Sequence, residues 1–312
     1  MKKYIILSLA ALTVLAACNK EGGKDHKTIT VKAGIGTMTK VAYTEDKSAF
    51  VEGDDLTLFA WTGEKTAIPE KLVVKGVNNT LKSGLWQPDI QMLWADMTTP
   101  HYFMAVSPAR VVTSFTADPY TLDPAADKFQ QSDLLIAIND KGLVATDNPV
   151  SLVFDHAMSI LNVNLAFHNQ WTEGNPPSQT EITEAQIDSV KATAKDHATI
   201  DYIHKAVTAT GEGAQVAMNK VKNASWTTLM VPQAGFRTIT IALSGNDEWL
   251  GGNGTYVFNA SEDITLVSGK VTTVNLIIGR DQITLDKDGI TITDWASQGD
   301  AIPGEVFKPE LN

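Results

Sequence analysis

The residues of this 312-residue chain that could do chemistry are few and dispersed. Its six histidines, His26, His101, His156, His168, His197 and His204, fall on separate strands and loops. None forms the i, i+4 pair of a zincin helix, and no spaced cysteines accompany them. The single cysteine, Cys18, cannot make an internal disulfide or a thiolate metal centre. There is no G-x-S-x-G elbow and no P-loop. Gly251-Gly252-Asn253-Gly254 lacks the Lys-Ser/Thr and the helix of a phosphate cradle, so a hairpin loop is the better reading. Leu285-Asp286-Lys287-Asp288-Gly289 opens like a calcium loop but lacks its third ligand and its closing glutamate, and is expected to be a turn. The carboxylates at Glu45-Asp46 and at Glu52, Asp54 and Asp55 sit in expected loops, where charge is solvated. His156, in Phe154-Asp155-His156-Ala157-Met158, is expected to have a structural role at a strand end. The expectation is a protein that is not an enzyme, with no catalytic residues, no metal site and no cofactor.

Charge excludes a further class. Asp and Glu number 36 against 25 Lys and Arg, a formal charge of −11, the wrong sign for neutralising phosphates, so no nucleic-acid partner is expected. Met1-Lys2-Lys3 followed by an apolar run to Ala16 has the form of a secretory signal, too short to span a bilayer, which takes about 20 residues. The run ends in Leu15-Ala16-Ala17-Cys18, which resembles a bacterial lipobox. Residues 1–17 are therefore expected to be a lipoprotein signal peptide, with acylation on Cys18 and a flexible tether over 18–27.

Beyond the tether the periodicity is that of strands. Thr28-Ile29-Thr30-Val31-Lys32-Ala33-Gly34-Ile35 alternates strictly, with Ile29, Val31, Ala33 and Ile35 on one side. Short apolar runs recur to Thr293, separated by turn signals such as Asn78-Asn79, Ser107-Pro108 and Asp147-Asn148-Pro149. Ala185–Lys195 reads as helix or strand equally well. Asn169–Ser178, rich in Gly, Asn and Pro, is the expected boundary between an N-terminal β-sandwich (28–168) and a C-terminal one (169–312, with a short tail after 295). Of the seven tryptophans, Trp61 and Trp226 are expected in the core, while Trp171 and Trp249 lie in polar loops.

Several phrases together resemble the fimbrillin family of Bacteroidales lipoproteins, which includes subunits of type V pili. They are the lipobox; TITVKAGI followed by Thr39-Lys40-Val41; Phe50-Val51-Glu52-Gly53-Asp54-Asp55-Leu56; Trp94 with Tyr102-Phe103-Met104-Ala105; Ser132 to Ala137; Phe154 to Val163; Val231-Pro232-Gln233; and Ile290 to Trp295. The resemblance implies an all-β chain of two tandem transthyretin-like β-sandwich domains. It also implies a first strand that is removed by proteolysis and replaced by a strand from a neighbouring fimbrial subunit. The removable strand would be Thr28–Ile35, with Ile29, Val31, Ala33 and Ile35 filling its pockets, and Lys40 would mark the processing site. Lys40 stands where many relatives have Arg, and Pro303 and Pro309 interrupt the tail as a donor.

The implied role is an outer-membrane, cell-surface fimbrial subunit or fimbria-associated adhesin, with other subunits, the membrane and an adhesion receptor on a host or bacterial cell as partners. The alternative, from a different class, is a glycan-binding surface lipoprotein of a polysaccharide uptake system, which would present an exposed pair of aromatic rings. Asp188-Ser189-Val190 resembles a short O-glycosylation sequon with Ser189 as acceptor. The lipobox reading is checked by replacement of the only thiol: Cys18→Ser should abolish incorporation of labelled lipid and move the protein out of the membrane fraction, and unchanged fractionation would overturn it.

Overall fold

A computed structural model describes residues 27–36, 49–68, 70–125, 128–168, 187–222, 224–244, 254–279 and 282–295. Among the described residues there are seventeen strands and one helix of a single turn, α1 (Phe129–Ser132). The strands form three sheets, and the way apolar side chains alternate along them decides where each core sits.

The first sheet has β2 (Asp55–Thr62) and β5 (His101–Ser107) at its centre. β3 (Val74–Lys82) and β4 (Leu85–Pro88) lie on one side, and β7 (Leu135–Ile138), β8 (Val150–His156) and β1 (Val31–Ile35) on the other. β2 is buried on both faces, so its sequence reads as an unbroken apolar run rather than an alternation. Leu56, Leu58 and Ala60 enter one core, with Trp94, Phe103, Leu152 and Phe154. Phe59 and Trp61 enter another, with Met104, Val106 and Ile136.

The other two sheets face each other. One runs β11 (Ala206–Ala217), β10 (Ile187–Asp201), β14 (Gln233–Leu243), β15 (Thr255–Leu266). The other runs β12 (Asn219–Lys222), β13 (Ser225–Met230), β9 (Ser159–Phe167), β16 (Lys270–Ile278), β17 (Ile283–Asp294). Leu161, Val163, Val190, Ile239, Phe258 and Val274 are among the residues packed between them, as in a sandwich.

The sheets interlock. β10 spends its first half against β14 and its second half, from His197 to Ile200, against β6 (Asp118–Thr121), a strand that precedes it by some seventy residues. The turn after β10 carries Tyr202 and Ile203 into the middle core, beside Ile160, Leu229 and Val271 from the third sheet and Trp61 from the first. The chain changes sheet at Ala157-Met158, between β8 and β9. β9, N-terminal to residue 169, is thus the central strand of the third sheet, while the Asn169–Ser178 segment lies outside the described residues.

Several local expectations need correction. Asn78-Asn79 is no turn: both lie inside β3, where Asn78 Oδ1 accepts a hydrogen bond from Thr57 Oγ1 at 2.8 Å and Asn79 Nδ2 donates to the Val77 carbonyl at 3.0 Å. Tertiary pairing with β2 overrides their turn preference. Leu285–Gly289 is not a terminating turn but a bulge within β17, between the pairs Val274↔Ile290 and Leu276↔Leu285. Ala185–Lys195, ambiguous by periodicity, is strand from Ile187 onward.

A buried carboxylate fastens the interlock. Asp118, 1% exposed, accepts hydrogen bonds from the Thr113 amide (2.8 Å), Thr113 Oγ1 (2.6 Å) and Tyr202 Oη (2.7 Å), and Arg110 Nη2 stands 3.5 Å away. Burial pushes its carboxyl upward, but the hydrogen bonds from Thr113 and Tyr202 and the Arg110 charge prevail and hold it below the usual range. A depressed native pKa gives stability that is complete above the unfolded value of about 3.9 and lost as pH falls through the native one. Asp118→Ala strands these donors and the Arg110 charge, so it should cost on the order of 2–4 kcal/mol in urea unfolding at neutral pH. The cost should shrink below about pH 4. A loss under 0.5 kcal/mol would contradict this account of the junction.

Candidate functional site

The alternation of Thr28–Ile35 is realised in full. Ile29, Val31 and Ile35 are 1%, 8% and 9% exposed and Ala33 is partly buried, while Thr28, Thr30, Lys32 and Gly34 face solvent. β1 is an edge strand running parallel to β8, in register from Val31↔Val150 to Ile35↔Phe154. The Val150 amide donates to the Thr30 carbonyl at 2.8 Å and the Gly36 amide to the Phe154 carbonyl at 2.6 Å.

Its approach is held from the opposite side. The Ile29 amide donates to the Met92 carbonyl at 2.8 Å and the Trp94 amide to the Lys27 carbonyl at 3.0 Å, an antiparallel bridge centred on Thr28 and Leu93. Gln91 Nε2 donates to Thr28 Oγ1 at 3.1 Å, and Lys27 pairs with Asp147 at 3.0 Å. Met92–Trp94 follows β4, the far edge of the same sheet, and β1 also lies against β4. The sheet therefore curls until its first segment closes the gap between its two ends. Ile29, Val31 and Ile35 complete a core containing Leu56, Leu58, Trp94, Phe103, Leu152 and Phe154. Full burial of such side chains contributes about 1.5–3 kcal/mol each.

The segment opposite β1 is itself fixed by polar caps. Asp96 Oδ1 accepts from the amides of Thr98 (2.8 Å) and Thr99 (2.6 Å), and hydrogen bonds from Thr99 and Thr98 hold its carboxyl well below the ordinary range. His101 is fully buried, and its Nε2 accepts from the Ala95 amide at 3.1 Å. That bond fixes the proton on Nδ1, which donates to the Thr99 carbonyl at 2.7 Å. The imidazole stands edge-on to Trp94, ring centroids 4.9 Å apart.

Cys18, Lys40, Glu45-Asp46, Trp171 and Trp249 lie outside the described residues. Ser189 is half-buried in β10, paired with Ala242. The carboxylates after Val51 do more than sit in solvent. Glu52 accepts from the Ser83 amide (2.9 and 3.0 Å), Asp54 from the Val51 amide (2.7 Å) and Asp55 from the Ala109 amide (2.8 Å). His156 Nδ1 lies 3.0 and 2.9 Å from the two oxygens of buried Asp133, and its ring stacks on Trp295 at 3.9 Å and 11°. Among the described residues no three His, Cys, Asp or Glu side chains converge as metal ligands, and no helix is long and apolar enough to cross a membrane. Trp61, Trp94, Trp226 and Trp295 are buried and Trp86 is half-buried against Phe50, so the described tryptophans offer no exposed stacking platform.

Sequence reasoning missed the Met92–Trp94 rail, because Leu93, 40% exposed, hides the alternation of Met92 and Trp94. It also missed the role of His101, whose only signal is its place at the start of the apolar run His101–Ser107.

Burial drives the His101 pKa down, outweighing the Thr99 carbonyl and the Asp96 charge that favour the cation. A lowered native pKa gives stability that is complete above the unfolded value of about 6.5 and declines as pH falls toward the native one. Acidification from pH 7 to 5 should therefore loosen the rail, seen as faster amide exchange at Ile29 and Trp94. His101→Gln should flatten that pH dependence, and an identical pH profile in the variant would refute the assignment.

A family model described as fimbrillin-like matches residues 39–295. The fold is similar to a candidate cell adhesion protein from Bacteroides uniformis, with TM-score 0.62 and 17% identity over 86% of this chain and 99% of that one. It is also similar to one from Bacteroides ovatus, with TM-score 0.60 and 15% identity over 87% and 99%. A fimbrial protein from Bacteroides vulgatus aligns at TM-score 0.49 and 12% identity over 86% and 99%. No curated protein matches the chain in sequence.

Proposed function

The chain belongs to the fimbrillin-like family, and from that premise we propose that it is a cell-surface fimbrial subunit or fimbria-associated adhesin assembled by exchange of its first strand. The observation that carries the reading is the position of β1, an edge strand whose inward side chains complete a core and whose backbone bonds could be supplied by any strand of equal length. The precursor would be held at the outer membrane by lipid on Cys18. Cutting at Lys40, between β1 and the Phe50 segment, would convert an intramolecular contact into a dissociable one and remove its effective concentration. A strand from a neighbouring subunit then takes the vacated groove, with alternate side chains in the places of Ile29, Val31, Ala33 and Ile35. Once displayed, such a subunit can carry contacts to a host or bacterial receptor.

The test uses the protein's own strand as probe. A fluorescent peptide of Thr28–Gly36 should bind the chain after trypsin-type cleavage between Gly36 and Phe50, and should not bind the intact chain. The same peptide with Val31→Asp should fail on both. Native mass spectrometry of the cleaved sample should then show loss of the first strand and growth of oligomers. If cleaved protein keeps β1 indefinitely against excess peptide and neighbouring subunits, assembly by strand exchange is wrong for this chain.

A further inference from the structure

We infer that β8 couples the two ends of the molecule, so that departure of β1 loosens the hold of the first sheet on the C-terminal end of β17. The inference rests on the removable-strand reading above and adds to it an internal relay.

The unequal support of β8 is the first observation. β1 pairs with five of its residues, Val150 to Phe154, whereas the ladder with β7 contains only Leu135↔His156 and Ile136↔Asp155. Removing β1 takes the ladder partner from Val150–Phe154 and leaves β8 registered by its last two residues. Those two residues also reach the other sheets. Asp155 Oδ2 accepts from Lys205 Nζ at 2.6 Å, in the turn between β10 and β11. His156 is clamped between Asp133 and the ring of Trp295.

The end of β1 reaches the same place directly. A Cβ built on Gly36 would lie 2.7 Å from Asp155 Oδ1, so the strand's last backbone turn is packed on that carboxylate. That carboxylate is the exposed end of a flexible side chain whose other oxygen is held by Lys205.

At the other end, β17 is laddered on β16 as far as Lys270↔Asp294, and Trp295, just beyond it, carries its end onto the first sheet. Among the described residues the one strand partner of β17 is β16, its ladder is interrupted by the Asp286–Gly289 bulge, and Leu285, Ile290 and Ile292 are 37%, 37% and 48% exposed. Trp295 is 5% exposed in the middle core, and its amide donates to the Gly269 carbonyl at 3.0 Å. The Gly269 amide in turn donates to the Met158 carbonyl, two residues past His156, at 2.8 Å. The stack on His156 therefore ties the last described strand to the strand that β1 registers, and fraying of β8 from Val150 onward leaves the imidazole held against the indole only by its pair with Leu135 and by Asp133, a looser hold.

Hydrogen exchange followed by mass spectrometry on the full mature chain tests this. Val31→Asp with Ile35→Asp, or a variant lacking residues through Gly36, should speed exchange in β8 and in Thr291–Trp295 roughly tenfold, while β14 and β15 keep the wild-type rates. Lys32→Glu, on the solvent face, should change neither. Coupling is reciprocal, so Trp295→Ala in the otherwise intact chain should speed exchange across Val31–Ile35 by a similar factor. This arm decides the matter if the β1 variants fail to fold. Faster β8 exchange with Thr291–Trp295 unchanged, or a Trp295→Ala protein with wild-type exchange in β1, would overturn the relay. Either result leaves strand exchange itself standing, whereas failure of cleaved protein to take up the Thr28–Gly36 peptide would remove that reading without touching these rates.

Discussion

An open sheet edge over an unfinished core is the constraint on which the N-terminal part of this molecule depends. Backbone groups in apolar surroundings need partners, and here the partners on both sides of Thr28–Ile35 are backbone groups of β8 and of Met92–Trp94. The curled sheet cannot close with its own remaining strands. Its first segment does so by lending three large apolar side chains and a row of amides and carbonyls. Polar groups shape that closure: Asp96 and His101 fix the rail and Lys27 and Gln91 trim its start, while Glu52, Asp54 and Asp55 cap the turns around β2.

The middle core has a different logic. It is built from the unused faces of the first sheet and the ends of the other two, so none of the three sheets owns it. Burying Trp61, Tyr202, Met158 and Trp295 together makes the junction between the sheets as apolar as a domain interior. Asp118 adds direction to a contact that apolar packing alone would leave free to slide, because its acceptors fit only one placement of Tyr202 and Thr113.

The all-β class and the first strand were legible in the sequence because Ile29, Val31, Ala33 and Ile35 alternate against solvent-facing Thr and Lys without exception. Of the ambiguous Ala185–Lys195 stretch, Ile187–Lys195 is strand through its ladders with β11 and β14, which no local pattern encodes. Asn78 and Asn79 misled for the same reason, since their side chains satisfy groups inside a sheet that local chemistry would place in a turn. β6 escaped notice because four residues containing a proline carry almost no periodic signal, and its partner lies far along the chain. The stack of His156 on Trp295 joins residues separated by most of the C-terminal half, so each reads alone as an ordinary aromatic at a strand end.

The fifteen-residue β10 has one further consequence. It is bonded to β11 from Lys191 to Asp201, to β14 from Ile187 to Thr193 and to β6 from His197 to Ile200. Antiparallel hydrogen bonds lie across the strand axis, so a pull along β10 loads many of them at once in shear instead of opening them singly. The strand begins beside the sandwich core and ends in the middle core, and thus works as a tie rod through the molecule. A body strung in series with others, and tugged by flow, would stretch last along that line.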